Sequence, residues 1–309
     1  DARFHGEPRW QLAAGSVLRD VDQTAAALAR LRPLDTVEAW RKCGEIIEDE
    51  EALDFWTKVL DSTEATHEDI DAAGKKAAEL GRFGDCTRLY DLGIEKFPKQ
   101  SGLLRFWCGE TLRGAGRNRS ALPYLEEAKQ DPSGLNPSYG FRGLAKCLEA
   151  LKRNDEAWKV WMELAQSDEA ISQHLRDAAY FGATHGHATE SHDLIGKALD
   201  NAPENEGRQA DQRTTHYMAG WCQINLDDPA EAEKSFQTAM EMIEVDEKPG
   251  SDLLAGIVIA QWLGGKQEEA LKSYQTLLDT TRSQESASIW TDPATLNALE
   301  WTEEELAAI

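Results

Sequence analysis

The stretch GETLRGAGRNRSALPYLEEA, residues 109–128, decides the fold class of this chain. Gly109 is followed three residues later by an apolar residue, a glycine-containing segment comes next, and Ala121, Leu125 and Ala128 then recur at helical spacing. Apolar residues three and four apart lie on one face of a helix. The stretch therefore predicts two short helices joined by a tight turn.

The same frame occurs at six further places along the chain. Strong copies cover residues 74–93, 220–239 and 258–277, and weaker copies are centred on residues 52, 157 and 191. We call the small residue that opens the second half of each copy the anchor. The seven anchors are Ala52, Cys86, Ala121, Ala157, Ser191, Ala232 and Ala270, with separations of 34, 35, 36, 34, 41 and 38 residues. A period near 34 residues indicates an all-α repeat of helical hairpins.

The residue types of the frame have a physical reason. Small residues allow the two helices of a hairpin to approach closely, and the large residue four positions after each anchor, here called the gap-filling residue, occupies the space that remains. Gly81, Gly116 and Gly265 suit a left-handed helix stop between the helices. Asp228 and Pro229 read as an N-cap followed by proline at the first helical position.

On these frames the chain resembles the tetratricopeptide-repeat superfamily over roughly residues 33–281. The resemblance implies a right-handed superhelical solenoid of antiparallel hairpins, with the first helix of each hairpin on the inner wall. It predicts a helical cap or degenerate repeat at residues 1–32, about seven repeats at 33–284 and capping helices at 285–309. The copy at Ser191 lacks an aromatic residue, Cys86 replaces alanine, and residues 203–213 and 246–251 read as inserted loops.

Composition excludes several classes of protein. Among 309 residues, 33 are basic and 56 acidic, which gives a formal net charge of −23. Such a surface repels phosphate backbones and anionic lipids, so we expect no nucleic-acid or membrane-surface binding. No apolar run is long enough to span a bilayer, so no membrane insertion is expected.

The five cysteines are scattered and odd in number, so neither a disulfide framework nor a zinc knuckle is expected. Buried thiols favour a reducing, cytoplasmic compartment. Export or a periplasmic location is the alternative, because the chain begins at Asp1 without methionine and a signal peptide or a larger parent chain is one explanation.

The sequence holds no nucleotide-binding, nucleophile-elbow or zinc-protease motif, so we expect no enzyme and no cofactor. His185, His187 and His192 lie close together in THGHATESHD, residues 184–193. Their spacing places them on no single helical face, which favours a polar turn over a metal site.

The resemblance implies that a peptide binds along the inner wall, where the inward side chains lie near fifteen and eleven residues before each anchor. These positions and the next turn form a track of cations that becomes aromatic towards the C-terminal end. A basic track favours an acidic or carboxylate-bearing partner, and aromatic residues favour a hydrophobic anchor. Pairing of the cations with acids of neighbouring hairpins is the equally weighted alternative, and the family's carboxylate-clamp pattern is not reproduced. The candidate residues are Arg41, Lys75, Arg113, Arg142, Lys146, Arg176, Tyr180, Tyr217, Trp221 and Asn225.

The function that these features predict is a non-catalytic scaffold that binds a peptide or a protein segment. Two alternatives stay open: a regulatory or docking region of a larger enzyme, and a structural subunit of a multiprotein assembly. Nothing in the sequence indicates a homo-oligomer.

Overall fold

The computed structural model describes residues 8–20, 23–201, 208–243 and 247–281. Within these ranges the chain is helical and has no strand. The helices are α1 (Pro8–Asp20), α2 (Thr24–Leu31), α3 (Val37–Ile46), α4 (Glu51–Asp61), α5 (His67–Glu79), α6 (Phe83–Lys96), α7 (Ser101–Gly114), α8 (Asn118–Gln130), α9 (Pro137–Ala150), α10 (Asn154–Ala165), α11 (Ser172–Thr184), α12 (Ala188–Asp200), α13 (Arg208–Asn225), α14 (Pro229–Glu241), α15 (Ser251–Leu263) and α16 (Gln267–Thr281), with a short 3₁₀ turn at Pro98–Gln100 before α7. The predicted C-terminal capping helices and residues 203–207 of the predicted loop 203–213 lie outside the described residues. Residues 208–213 are helical and not a loop, because α13 begins at Arg208.

The chain divides into two compact units, and the boundary between Val160 and Trp161 falls within α10. The sequence did not predict this division. In the first unit α3, α5, α7 and α9 lie side by side, and in the second unit α11, α13 and α15 do the same. We call these helices the first-helix row of each unit, and α4, α6, α8, α10, α12, α14 and α16 the second helices.

The predicted hairpin packing is confirmed. All seven anchors are buried, with exposed fractions of 0–2%. A Cβ atom placed on Gly74 would lie 2.4 Å from the Tyr90 ring, and one on Gly109 or Gly220 would lie 2.5 Å from Leu125 or Phe236. Glycine at these positions therefore sets the close approach of the two helices. The gap-filling residues Trp56, Tyr90, Leu125, Trp161, Ile195 and Phe236 are buried, and Tyr274 is half-buried.

The first of the seven hairpins differs from the others by one helical turn. Trp40 occupies the position that glycine holds in other copies, and it packs half-buried against Leu31, Cys43 and neighbouring apolar residues. Gly44, one turn later, makes the close approach instead: its added Cβ would lie 2.6 Å from Nε1 of the Trp56 indole.

The predicted turn geometry is also confirmed. Gly81, Gly116 and Gly265 have φ angles of +72°, +72° and +76°. Lys152 and Asp227 adopt the same left-handed conformation after α9 and α13, with φ of 61° and 58°. A non-glycine residue adopts this conformation at a small energetic cost. The left-handed turn is therefore common to these repeats, although its residue type varies.

Three further features bear on the expected class of protein. The side chain of Asp228 accepts a hydrogen bond from the backbone of Glu231, as its predicted N-cap role requires. All five cysteines are buried and unbridged. No helix in the described ranges is long and apolar enough to cross a membrane.

Candidate partner-binding surface

Charge is distributed unevenly between the two sets of helices. The seven second helices carry 20 acidic and nine basic residues, whereas α3, α5, α7, α9, α11, α13 and α15 carry 11 of each. The acidic excess of the chain therefore lies away from the first helices, as the sequence indicated. The first helices are neutral in sum, which is less basic than the predicted track of cations.

Arg41 on α3 is held by groups of the same unit. Its guanidinium donates to both carboxylate oxygens of Asp69 at 2.7 and 2.8 Å and to the carbonyl of Glu64 at 2.8 Å. Asp69 is 5% exposed and also accepts a hydrogen bond from the backbone N–H of Thr66, completing a capping box at the start of α5. Arg41 thus connects adjacent members of the first-helix row.

This pairing predicts a pH dependence of stability. Burial by itself raises the pKa of Asp69, but hydrogen bonds from Arg41 and Thr66 outweigh it and hold the pKa below its ordinary value. The ionised Asp69 carboxylate therefore stabilises the folded state fully above its unfolded-state pKa of about 3.9. This stabilisation is lost as the pH falls through the lower folded-state pKa. We expect Asp69→Asn to cost about 2 kcal/mol near neutral pH.

Urea unfolding of the wild type and Asp69→Asn between pH 2.5 and 7 measures this difference. It should shrink steadily below about pH 4. Asp54→Asn, on the exposed side of α4, is the control and should match the wild type. A difference between Asp69→Asn and wild type that stays constant across this range would contradict the assigned role of the Arg41–Asp69 pair.

Lys75 and Arg113 pair within their own helices. The Lys75 ammonium lies 2.6 Å from Asp71, and the Arg113 guanidinium donates two hydrogen bonds to Glu110 at 2.8 and 2.7 Å. Asp71 also accepts a 2.7 Å hydrogen bond from the buried hydroxyl of Tyr90. Lys75 is exposed, and a same-helix ion pair at an exposed site contributes only about 0.3–0.5 kcal/mol. The Arg113–Glu110 pair is half-buried and bidentate, so its side chains are held more firmly.

Arg142 and Lys146 lie half-buried on α9 and interact with other groups of the chain. The same helix presents a residue that the sequence analysis did not select. Tyr139 is 49% exposed, and its ring centroid lies 5.8 Å from that of Phe106 on α7. Tyr139 lies about one helical turn before the two positions of each repeat that were predicted to face inward. A prediction that included this earlier turn would have identified it.

Arg176 on α11 is 8% exposed, and Nη1 of its guanidinium contacts three side chains. Its guanidinium contacts Asp211 at 2.5 Å, Ser172 at 2.9 Å and Thr215 at 3.1 Å. Asp211 in turn accepts a 2.6 Å hydrogen bond from the Ser172 hydroxyl. This network joins α11 to α13, so Arg176 is a structural residue and has little surface to offer a ligand.

The aromatic end of the predicted track lies in the second unit. Trp221 packs edge-on against Phe236 at 5.4 Å between ring centroids, and Tyr217 lies 6.3 Å from Trp221. Burial raises the pKa of Tyr217. Tyr180 is 46% exposed, and the amide of the exposed Asn225 donates to the carbonyl of Trp221 at 2.9 Å. The structure therefore divides this group into two half-buried rings that belong to the core and two accessible side chains.

A cavity of about 410 Å³ opens between α5 and α7 on the first-helix row of the first unit. One of its lining residues, Trp107, is a half-buried ring that stacks on His67 with centroids 5.8 Å apart. Trp107 was not among the predicted residues, because the repeat frame assigns the neighbouring Phe106 to the inner wall.

The histidine-rich turn is built as a link between α11 and α12. His185 stacks on Phe181 with ring centroids 4.1 Å apart, and its Nδ1 lies 2.9 Å from the Phe181 carbonyl. Among the described residues, no group of three histidine, cysteine or acidic side chains is arranged to hold a metal ion.

Known proteins resemble this chain in structure but not in sequence. No protein-family model matches the chain, and no curated protein sequence matches it either. Among solved structures, the C-terminal part of a tetratricopeptide-repeat protein from Cytophaga hutchinsonii is similar with a TM-score of 0.51 and 12% identity, covering 80% of this chain and 99% of that one. MamA from Desulfovibrio magneticus RS-1 gives a TM-score of 0.49 at 13% identity over 60% of this chain and 97% of its own.

YrrB, described as a tetratricopeptide-repeat protein with an unusual peptide-binding site, is 13% identical with a TM-score of 0.47, covering 69% of this chain and 98% of YrrB. At sequence identities this low, a similar structure is evidence for a shared fold and not for a shared function. The similarity to the Cytophaga hutchinsonii structure, together with the repeat frames and the hairpin packing, shows that the chain has the tetratricopeptide-repeat fold.

Proposed function

We propose that this chain, built from tetratricopeptide-type hairpins, is a non-catalytic scaffold that binds a segment of a partner protein on the first-helix row of a unit. One observation carries the proposal: the first helices are neutral in sum and expose aromatic side chains, whereas the second helices are acidic. A surface that combines aromatic side chains with low net charge resembles the core of a protein interface.

The accessible aromatic residues are the best candidates for contact. Tyr180 and Tyr139 are each nearly half exposed on first helices, one in each unit. A folded protein that leaves large amphipathic rings in water loses apolar burial, and tyrosine is enriched among residues that dominate binding energy. These two residues, with the exposed Asn225, replace the buried Arg176 as the proposed contact groups.

The predicted acidic partner depended on cations that are available to a ligand. Arg41, Lys75, Arg113 and Arg176 are ion-paired with acids of the chain itself, and Arg142 and Lys146 have interactions of their own. These contacts support the alternative interpretation, in which the six cations pair with groups of the chain itself and not with a ligand. The proposal keeps the protein segment as the ligand and assigns most of the affinity to aromatic and apolar contacts.

Selection from a displayed library of random twelve-residue peptides tests the proposal. We expect the wild type to enrich a peptide motif and Tyr139→Ala to weaken its binding about thirtyfold, the effect of losing about 2 kcal/mol at an interface hot spot. Leu92→Ala is the matched control, because Leu92 is 47% exposed on the second helix α6 of the same unit. Failure of the wild type to enrich any motif, or equal losses in the two variants, would contradict the proposal.

A further inference from the structure

The surface that the cavity between α5 and α7 exposes is mostly apolar. The apolar or small lining residues are Ala78 on α5, Trp107 and Gly114 on α7 and Ala115 directly after α7, and the other lining residues are Lys75, Glu79, Glu110 and Thr111. It lies within the first unit and on the surface that the proposed function assigns to a partner, so the inference below rests on that function.

The polar groups around the cavity already have partners. Thr111, which also lines it, lies 3.2 Å from the buried Tyr90 hydroxyl. The ammonium of Lys75 pairs with Asp71, the carboxylate of Glu79 pairs with Lys76 at 3.1 Å, and the carboxylate of Glu110 accepts two hydrogen bonds from Arg113. A ligand group that enters the cavity therefore meets apolar surface and satisfied hydrogen bonds, which favours an apolar side chain over a polar or charged one.

The net charge of this protein indicates which charge the partner segment should have. The protein has a net charge of −23, and its second helices have eleven more acidic than basic residues. The six cations that the repeat frame assigns to the inner wall are all engaged within the chain. The potential around the molecule therefore attracts cationic segments and repels acidic ones.

We infer that the cavity between α5 and α7 receives a large apolar side chain, of the size of leucine, methionine or phenylalanine, from a partner segment of net positive charge. The apolar side chain supplies affinity by leaving water for the cavity. The positive charge of the segment speeds its association with the acidic protein, and salt reduces this effect by screening the attraction.

The chain offers a substitution that fills the cavity from inside. Gly114 is exposed in the last turn of α7, and a Cβ atom added there meets nothing within 4 Å. Gly114→Leu is therefore expected to fold normally, with an unchanged or higher melting temperature because leucine favours helix more than glycine does. Ala78→Leu narrows the cavity from the α5 wall and serves as the second variant.

The matched control has the same change in a similar local setting. Gly84 in α6 is also exposed, also has nothing within 4 Å of an added Cβ, and belongs to the same unit but to a second helix. Gly84→Leu should fold and bind as the wild type does. Circular dichroism melting of all four proteins verifies the fold before binding is measured.

The probes are the peptides enriched by the wild type in the library selection, resynthesised with a fluorescent label. We expect them to combine a large apolar residue with lysine or arginine, to bind less tightly as salt is raised, and to lose tenfold or more of their affinity for Gly114→Leu and Ala78→Leu. Replacing the apolar residue by serine should cause the same loss, and Gly84→Leu should bind normally.

Three results would overturn the inference while leaving the proposed function intact: an acidic motif, binding that is insensitive to both cavity variants, or a dimer in light scattering that Gly114→Leu converts to a monomer. The last would identify a second copy of the chain as the occupant. Absence of any enriched motif would instead overturn the proposed function, and the inference with it.

Discussion

Asp211→Ala is expected to lower the free energy of unfolding by about 3–5 kcal/mol, because it leaves a buried guanidinium without its counter-ion. Arg176 is 8% exposed, and Asp211 provides both its closest contact and the acceptor for Ser172. The loss should appear as a lower urea midpoint followed by circular dichroism.

Two companion variants separate this effect from a general one. Glu156→Ala breaks the exposed ion pair with Arg153 on α10 and should change stability by less than about 0.5 kcal/mol. The double change Arg176→Met with Asp211→Leu removes both charges and should recover most of the loss. A small effect of Asp211→Ala would show that Arg176 is accessible to solvent, and it would return this residue to the group of ligand-binding candidates.

Phe236→Ala is expected to cost about 3–5 kcal/mol, the range for truncating a fully buried aromatic ring. Phe236 is 0% exposed and fits between two glycines, so that a Cβ on Gly220 or Gly256 would lie 2.5 or 2.6 Å from its ring. Trp221 also packs on this ring. Removal of the ring therefore opens a cavity that helices α13, α14 and α15 share.

The matched comparison is Tyr274→Ala at the same repeat position. Tyr274 is half-buried in α16, so its truncation should cost roughly half as much, about 1.5–2.5 kcal/mol. Urea unfolding of both variants tests whether the gap-filling residue stabilises a hairpin in proportion to its burial. Equal costs, or a smaller cost for Phe236→Ala, would contradict that account of the packing.

The fold was predictable from sequence because each repeat encodes its own packing locally. Ala121 and Leu125 are four residues apart, and Gly109 is twelve residues before the anchor, so one short window contains both partners of the close contact. The position of Gly116 at the turn is equally local. The exception at Trp40 also follows this rule, since Gly44 makes the close contact within the same hairpin.

The candidate site was less predictable because its electrostatics depends on contacts between hairpins. Arg41 finds Asp69, 28 residues away, and Arg176 finds Asp211, 35 residues away. A repeat frame gives the direction of a side chain but not the charge that faces it from the next helix. Consequently the cations of the predicted track lie on first helices, but the net charge around them depends on acids that the frame did not sample.

Site-specific photo-cross-linking tests most directly the central claim that partners bind the first-helix row. Benzoylphenylalanine is placed at Tyr180 or Tyr139 on first helices, and at Leu271 or Leu92 on second helices, four sites that are 46–49% exposed. After irradiation of the cells that express the protein, we expect discrete cross-linked partners from positions 180 and 139 and none from positions 271 and 92. Cross-links of equal yield at all four positions, or only from the second helices, would contradict the account.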